Sequence, residues 1–169
     1  LALTAGSTDN RSGRLLSGKG MTLTASTVDN RNGDLQAGGH LTMTAQTSFN
    51  NTDGLLRADG ALALNTPTLD NTGTNVPGRG IEGDSVDLTV GELMNAAGAI
   101  RADTALTVRA SDQIDNNAGL ISSKKNLSVV DTSPTQALAI KNAGGTFVAG
   151  TTLSMNAATL AGAGKLLSH

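Results

Sequence analysis

Residues 1–20 read LALTAGSTDNRSGRLLSGKG, residues 21–40 read MTLTASTVDNRNGDLQAGGH, and residues 41–61 read LTMTAQTSFNNTDGLLRADGA. These are three versions of one unit, which the rest of the chain continues with two insertions. Self-similarity at a period of roughly 20–50 residues is the sequence signature of stacked repeat folds. The first apolar residue of each unit marks eight starts: Leu1, Met21, Leu41, Leu62, Val86, Leu106, Leu127 and Leu153.

Apolar and polar residues alternate after each start, as in MTLTA at 21–25 and LTVRA at 106–110. This period predicts a β-strand with one buried face. A second short alternating run follows later in each unit, as at 15–17 and 100–102, so that each unit reads strand, corner, strand, corner. Between these runs, a further apolar position recurs at Val28, Phe49, Leu69, Leu93, Ile114, Ile140 and Leu160.

An Asn recurs shortly after this apolar position in seven units, and Gly162 replaces it in the last. Asn tolerates a left-handed backbone, and stacked side-chain amides can hydrogen-bond from turn to turn inside a coil. A Gly usually follows three residues later, where we expect it to supply a positive φ. We predict a structural ladder rather than a ligand site, formed by Asn10, Asn30, Asn51, Asn71, Asn95, Asn116 and Asn142.

A unit of this size cannot fold alone, because ordering costs about 1–2 kcal/mol per residue and each buried Leu or Val returns only about 1.5–3 kcal/mol. The units must therefore stack. We predict an all-β, right-handed parallel β-helix of about eight turns with roughly 20 residues per turn, spanning 1–169 as one segment. Leucine-rich repeats, the main rival, need a leucine-dense helical segment that is missing here.

The amino-acid composition excludes several classes of partner and site. The net charge is −2, and aromatic residues make up 1% of the chain, so nucleic acid is not an expected partner. The chain has no Cys, which excludes disulfides and thiolate metal sites. It starts in mid-pattern at Leu1, without a signal peptide, and we interpret it as a piece of a longer repeat array.

No catalytic or metal-binding set emerges from the sequence. The two histidines, His40 and His169, do not have the spacing of metal ligands. No Ser/His/Asp set can be assembled, and we expect no cofactor, no metal and no enzyme activity. The enzyme alternative is a polysaccharide lyase or hydrolase-like β-helix that uses one row of carboxylates, namely Asp9, Asp29, Asp70 and Asp115.

Two insertions lengthen the repeat. Residues 72–85 read TGTNVPGRGIEGDS, and residues 130–139 read VDTSPTQALA. Both contain Pro and turn-forming residues, so we expect both to leave the coil, at least in part, as loops. A second alternative function is therefore a receptor- or glycan-binding module that acts through these loops. Its candidate binding residues are Asn75, Arg79, Glu82, Asp131 and Gln136.

The unit [LM]-x-L-x-A-x-x-x-D-N-x-x-G-x-L-x-[SA]-G, intact at 1–20 and 21–40, resembles the filamentous-haemagglutinin repeat of large secreted bacterial exoproteins. These include adhesins of the two-partner secretion pathway and effectors of contact-dependent growth inhibition. The resemblance covers the whole chain. Later units depart from it, because Met94 and Lys141 replace the Asp that precedes Asn.

The resemblance implies a structural shaft that displays an adhesive or toxic region elsewhere in the polypeptide for cell contact. It also implies export through an outer-membrane two-partner-secretion transporter and a secreted or cell-surface location on a Gram-negative bacterium, with a role in virulence. The implied partners are that transporter, a host or neighbouring-cell receptor, and neighbouring repeats of the same polypeptide.

Overall fold

The computed structural model describes all of residues 1–169. The chain forms strands and turns only, and its 17 strands belong to one parallel sheet. This sheet winds into a β-solenoid of about 8 turns with roughly 21 residues per turn, which confirms the predicted parallel β-helix. The right-handed sense stays a prediction from the crossover preference. No helix is present that is long and apolar enough to cross a membrane.

The strands differ in length because some continue around a corner of the coil. In chain order they are β1 (Ala2–Thr4), β2 (Ser7–Asp9), β3 (Arg14–Ser17), β4 (Met21–Asp29), β5 (Asp34–Ala37), β6 (Leu41–Asn50), β7 (Leu55–Ala58), β8 (Leu62–Asp70), β9 (Gly80–Met94), β10 (Ala99–Asp115), β11 (Leu120–Ser123), β12 (Asn126–Asp131), β13 (Ala139–Lys141), β14 (Thr146–Ala149), β15 (Thr152–Met155), β16 (Thr159–Ala161) and β17 (Lys165–Ser168).

Each turn has three strand positions, which we call first, second and third. In turn one these are β1, β2 and β3; in turn two, β4 supplies the first and second positions and β5 the third. The first corner lies between the first and second positions, the second corner between the second and third, and the third corner leads to the next turn. Every pairing joins the same position in neighbouring turns.

The register of pairing follows the repeat of the sequence. Leu41 lies between Met21 and Leu62, and Leu106 lies between Val86 and Leu127. The apolar column of the second strand position is also in register, since Phe49 pairs with Val28 and Leu69. Because side chains alternate across a strand, one register places every apolar column inside.

The core consists of apolar columns that run along the coil axis from all three strand positions, and 33 buried residues form one continuous cluster. The column of large apolar residues at the third strand position is fully buried along its whole central length. It comprises Leu35, Leu56, Ile81, Ile100, Ile121 and Phe147, each 0% exposed. The terminal turns are less covered, because no turn of this chain packs on their outer side. Leu1, Leu160 and Leu166 are exposed there.

The second corner adopts a left-handed conformation, but not at the residue that the sequence predicted. A positive φ occurs two residues after each ladder Asn, at a varied set of residues that includes Asn32, Asp53 and Ala97. The Gly one residue later is required by space instead. A Cβ at Gly33 would lie 2.7 Å from Oδ1 of Asn30 and would clash with the carbonyl oxygen of Asn10. The prediction that these glycines supply the positive φ is therefore wrong.

Candidate functional site

The seven predicted Asn side chains form one row inside the second corner. Each amide nitrogen except that of Asn142 donates to the Oδ1 atom of the Asn in the next turn, over distances from 2.6 Å between Asn10 and Asn30 to 2.9 Å between Asn116 and Asn142. The five central members, from Asn30 to Asn116, are 0% exposed. All six hydrogen bonds point the same way along the axis.

The same amides also bind the main chain. Nδ2 of Asn30 donates to the carbonyl oxygen of Leu55 at 3.0 Å, and Nδ2 of Asn71 donates to that of Ala99 at 3.0 Å. Each central amide is thus shared between its own row and a strand of the following turn. A buried amide that is satisfied within the coil has little hydrogen-bonding capacity left for a ligand.

The Asp that precedes the ladder Asn has a local role. Oδ1 of Asp9 accepts a hydrogen bond from the main-chain N–H of Arg11, two residues on. The same contact recurs from Asp29, Asn50, Asp70 and Asp115. These are Asx turns, which Asp and Asn side chains form where a chain changes direction. The row that an enzyme would use is therefore engaged in building the second corner.

Two of these carboxylates also form ion pairs on the outside of the corner. Asp9 pairs with Arg11 and Asp29 with Arg31, each at 2.7 Å. The hydrogen bond from the Arg11 side chain lowers the pKa of Asp9 to about 2, and the Arg31 side chain likewise lowers the pKa of Asp29. A carboxyl group that acts as a general acid at neutral pH needs a raised pKa, whereas the pKa of each of these two carboxylates is lowered.

The first insertion leaves the coil in part, as predicted, because residues 72–79 form a loop whereas residues 80–85 belong to β9. Glu82 therefore lies on a strand, between Arg57 and Arg101, and not in a binding loop. Asn75 and Arg79 do lie in the loop. The loop lies along the third strand position, where the outward-facing Leu55 is only 7% exposed.

Arg101 connects the three candidates of the first insertion. Its guanidinium donates to Oδ1 of Asn75 at 3.2 Å, to the carbonyl oxygen of Arg79 at 3.1 Å and to Oε1 of Glu82 at 3.3 Å. At the other side, the guanidinium of Arg79 pairs with Asp34 at 2.7 Å. The loop is thus attached to turns on both sides. Sequence reasoning missed Arg101 and Asp34, because their partners come from turns far along the chain.

Thr74 anchors the same loop from inside. It is 0% exposed; its hydroxyl donates to the carbonyl oxygen of Asn71 at 2.9 Å and accepts from the N–H of Ala99 at 3.0 Å. We expect Thr74→Val to lower the free energy of unfolding by about 1–3 kcal/mol, because the buried N–H of Ala99 loses its acceptor. Urea denaturation measures this loss. Thr107→Val, on an outward strand position, is the control, and an equal effect of both changes would contradict the anchoring role.

The second insertion also folds back on itself. Residues 132–138 form the loop, whereas Asp131 ends β12 and so lies on a strand. Its carboxylate accepts from the N–H and hydroxyl of Ser133 and from the N–H of Leu138 at 2.9 Å. Leu138 is fully buried. Only Gln136, with a φ of 51°, remains at the exposed tip.

The pH dependence of this loop follows from Asp131. The hydrogen bond from the Ser133 hydroxyl lowers the pKa of Asp131 below its ordinary value of 3.8. The ionised carboxylate therefore contributes fully to the stability of the loop above pH 3.8. This contribution is lost as the pH falls through the lower pKa of Asp131 in the folded state. We expect the protection of the Leu138 amide against hydrogen exchange, measured by NMR relative to the intrinsic rate at each pH, to fall in that acidic range. Asp131→Asn should remove the pH dependence, and an unchanged profile in this variant would contradict the assignment.

Other acidic side chains and the histidines do not converge into a metal site. No group of three or more His, Asp or Glu side chains lies close enough to hold a metal ion. A polar groove of about 450 Å³ follows the third corner, but its acidic and basic side chains largely pair with each other, as Lys124 does with Asp103 at 2.6 Å. The groove is lined by Arg57, Ala58, Asp59, Glu82, Gly83, Asp84, Arg101, Ala102, Asp103, Ser122, Ser123 and Lys124.

Comparison with known families agrees with this geometry. The model of the haemagglutinin repeat matches the chain at residues 1–65, 36–130 and 119–168, which together cover nearly its whole length. No curated protein and no solved structure matched the chain. Because the model of this family matches nearly the whole chain, the chain belongs to the haemagglutinin repeat family.

Proposed function

We propose that this segment is an extended structural shaft of a bacterial surface or secreted exoprotein, which displays adhesive or toxic regions located elsewhere in the polypeptide. The observation that carries the proposal is the use of the recurring polar residues within the coil. The Asn row binds itself and the main chain, and the Asp column closes the corners. Such a segment has the architecture to extend, since each turn adds about 4.8 Å.

The family supports the cellular setting of this proposal. Proteins with haemagglutinin repeats are secreted or surface-exposed, and the family is associated with two-partner secretion. We infer that the segment is exported by an outer-membrane transporter of a Gram-negative bacterium and packs against neighbouring repeats of its own polypeptide. Display of an adhesin, or of an effector of contact-dependent growth inhibition, would give such a shaft a role in virulence.

The two alternatives have less support from the geometry. A polysaccharide-cleaving enzyme would need free carboxylates, whereas the Asp column forms Asx turns and ion pairs. A loop-based binding module would need accessible side chains, whereas Asn75, Arg79, Glu82 and Asp131 bind within the chain. We therefore propose that the segment is not an enzyme and that receptor binding, where it occurs, belongs to other regions.

The experiment that tests this proposal uses the fluorescently labelled segment on host cells and on neighbouring bacteria that lack the exoprotein. We expect no saturable binding and no competition with the adhesion of cells that carry the full exoprotein. The control is a variant in which residues 75–78, at the exposed tip of the first loop, are replaced by Gly and Ser. Saturable binding by the parent that this variant loses would favour the binding-module alternative instead.

A further inference from the structure

Charged side chains are unevenly distributed around the coil. None of the 12 Lys and Arg or 14 Asp and Glu residues lies in the segments 1–8, 20–28, 41–49 and 60–69. Strand pairing stacks these segments on one another. They form the first strand position, the first corner and the second strand position of turns one to four. We call this surface the uncharged face.

The outward positions of the uncharged face carry mostly hydroxyl groups. In the first strand position, Thr22 and Thr24 stack on Thr42 and Thr44. Ser26 donates to Oε1 of Gln46 at 3.4 Å. The hydroxyls of the remaining outward set donate and accept no hydrogen bond within the chain, whereas the Asn side chains of the second corner are hydrogen-bonded. The set comprises Thr4, Ser7, Thr22, Thr24, Thr27, Thr42, Thr44, Ser48 and Thr68.

The uncharged face ends at turn five. The corresponding segments of turns five to seven carry Asp87, Glu92, Arg109, Asp112 and Asp131. Asp87 of turn five forms an ion pair with Arg109 of turn six. High strand propensity accounts for Thr in a solvent-facing strand, but it does not account for the absence of charge from four stacked turns, because charged residues occupy the same positions farther along the coil.

A surface of hydroxyl groups is complementary to itself. Each hydroxyl both donates and accepts, so two identical faces can pair without opposing like groups, which carboxylates or guanidinium groups cannot do. The absence of charge also removes repulsion between copies. We propose that the uncharged face is a lateral contact between two copies of this chain, which associate side by side rather than end to end.

The size of the face determines the strength of this contact. Four turns extend for about 19 Å along the axis, and the eight or so residues of each turn follow a path of about 26 Å around the first corner, which gives at most roughly 500 Å² per copy. A stable dimer buries about 800 Å² per partner, so a single pair of segments associates weakly. Many copies on neighbouring cells would associate through the sum of such contacts. A free glycan is the less suitable occupant, because the face has no aromatic residue for stacking.

Cysteine cross-linking tests this proposal, because the natural chain has no Cys. Thr24→Cys and Thr44→Cys place a thiol on the uncharged face, and Thr146→Cys places one on the third strand position as the matched control. With a short bismaleimide reagent, we expect the face variants to form covalent dimers about tenfold faster than the control, because association raises the local thiol concentration. Raising the salt concentration should not slow the reaction.

A second change places charge within the proposed contact. Adding Thr22→Lys to Thr24→Cys should reduce its cross-linking rate to that of the control, because the contact would then bring two positive charges together. Circular dichroism checks that the variant remains folded. Equal rates for Thr24→Cys and Thr146→Cys, or cross-linking that survives Thr22→Lys, would overturn the proposal. Binding of the face to a glycan array without cross-linking would overturn it as well.

Discussion

Leu88→Asp is expected to unfold the segment or to lower its free energy of unfolding by more than about 4 kcal/mol. Leu88 is 0% exposed and lies between Leu64 and Val108 in an inward apolar column of the first strand position. An Asp here would place a carboxylate in an apolar core without a partner, and the methyl groups of Leu would be lost in addition. Thermal denaturation followed by circular dichroism measures the effect.

The matched control is the neighbouring residue on the same strand. Thr89 points outward and is exposed, so Thr89→Asp should change the free energy of unfolding by no more than about 0.5 kcal/mol. This pair of variants tests the register directly, because a shift of one residue would exchange the two environments. Similar melting of both variants would contradict the assignment of the apolar columns.

Asn71→Asp is expected to have the second large effect, a loss of about 3–5 kcal/mol at neutral pH. The amide of Asn71 donates to Asn95 at 2.8 Å and to the carbonyl oxygen of Ala99 at 3.0 Å. A carboxylate has nearly the same shape but donates nothing, so it would oppose two acceptors while being fully buried. This substitution therefore separates the hydrogen bonds of the row from its packing.

The sign of the pH effect identifies the buried carboxyl. Burial raises its pKa, so between the unfolded and folded pKa values the folded variant binds more protons, and stability falls as the pH rises. The variant should be closest to the parent near pH 4 and least stable near pH 8, as measured by urea denaturation. Asn65→Asp, an exposed change in the same turn, is the control. A loss that is equal at both pH values would contradict a buried carboxyl.

The repeat of the sequence was sufficient to predict the fold because each apolar column has to stack on itself. The starts at Met21, Leu41 and Leu62 pair in the predicted register, and the column that includes Phe49 does the same. The sequence alone also indicated one row of Asn residues. Both inferences rest on spacing along the chain, which a coil of nearly constant turn length converts directly into neighbours in space.

Other features could not be predicted, because they depend on the shape of the corner and on contacts between distant residues. The sequence pattern favours a positive φ at the Gly three residues after Asn, whereas this Gly is required by the close approach of the next turn, as at Gly33. The composition of the first insertion predicts a loop that leaves the coil at least in part, but not how that loop is held. Its attachment by Arg101, Asp34 and the buried Thr74 joins turns that are 25 to 45 residues apart.

The most direct test of the central claim, that this chain is a shaft of stacked equivalent turns, is a change in the number of turns. Deleting residues 21–40 joins Gly20 to Leu41 and should bring Asn10 opposite Asn51, while duplicating 21–40 adds one turn. Small-angle X-ray scattering should show that the long dimension changes by about 4.8 Å per turn. The slope of unfolding free energy against urea should change by about one eighth. Loss of the fold in both variants, or an unchanged long dimension, would contradict the account.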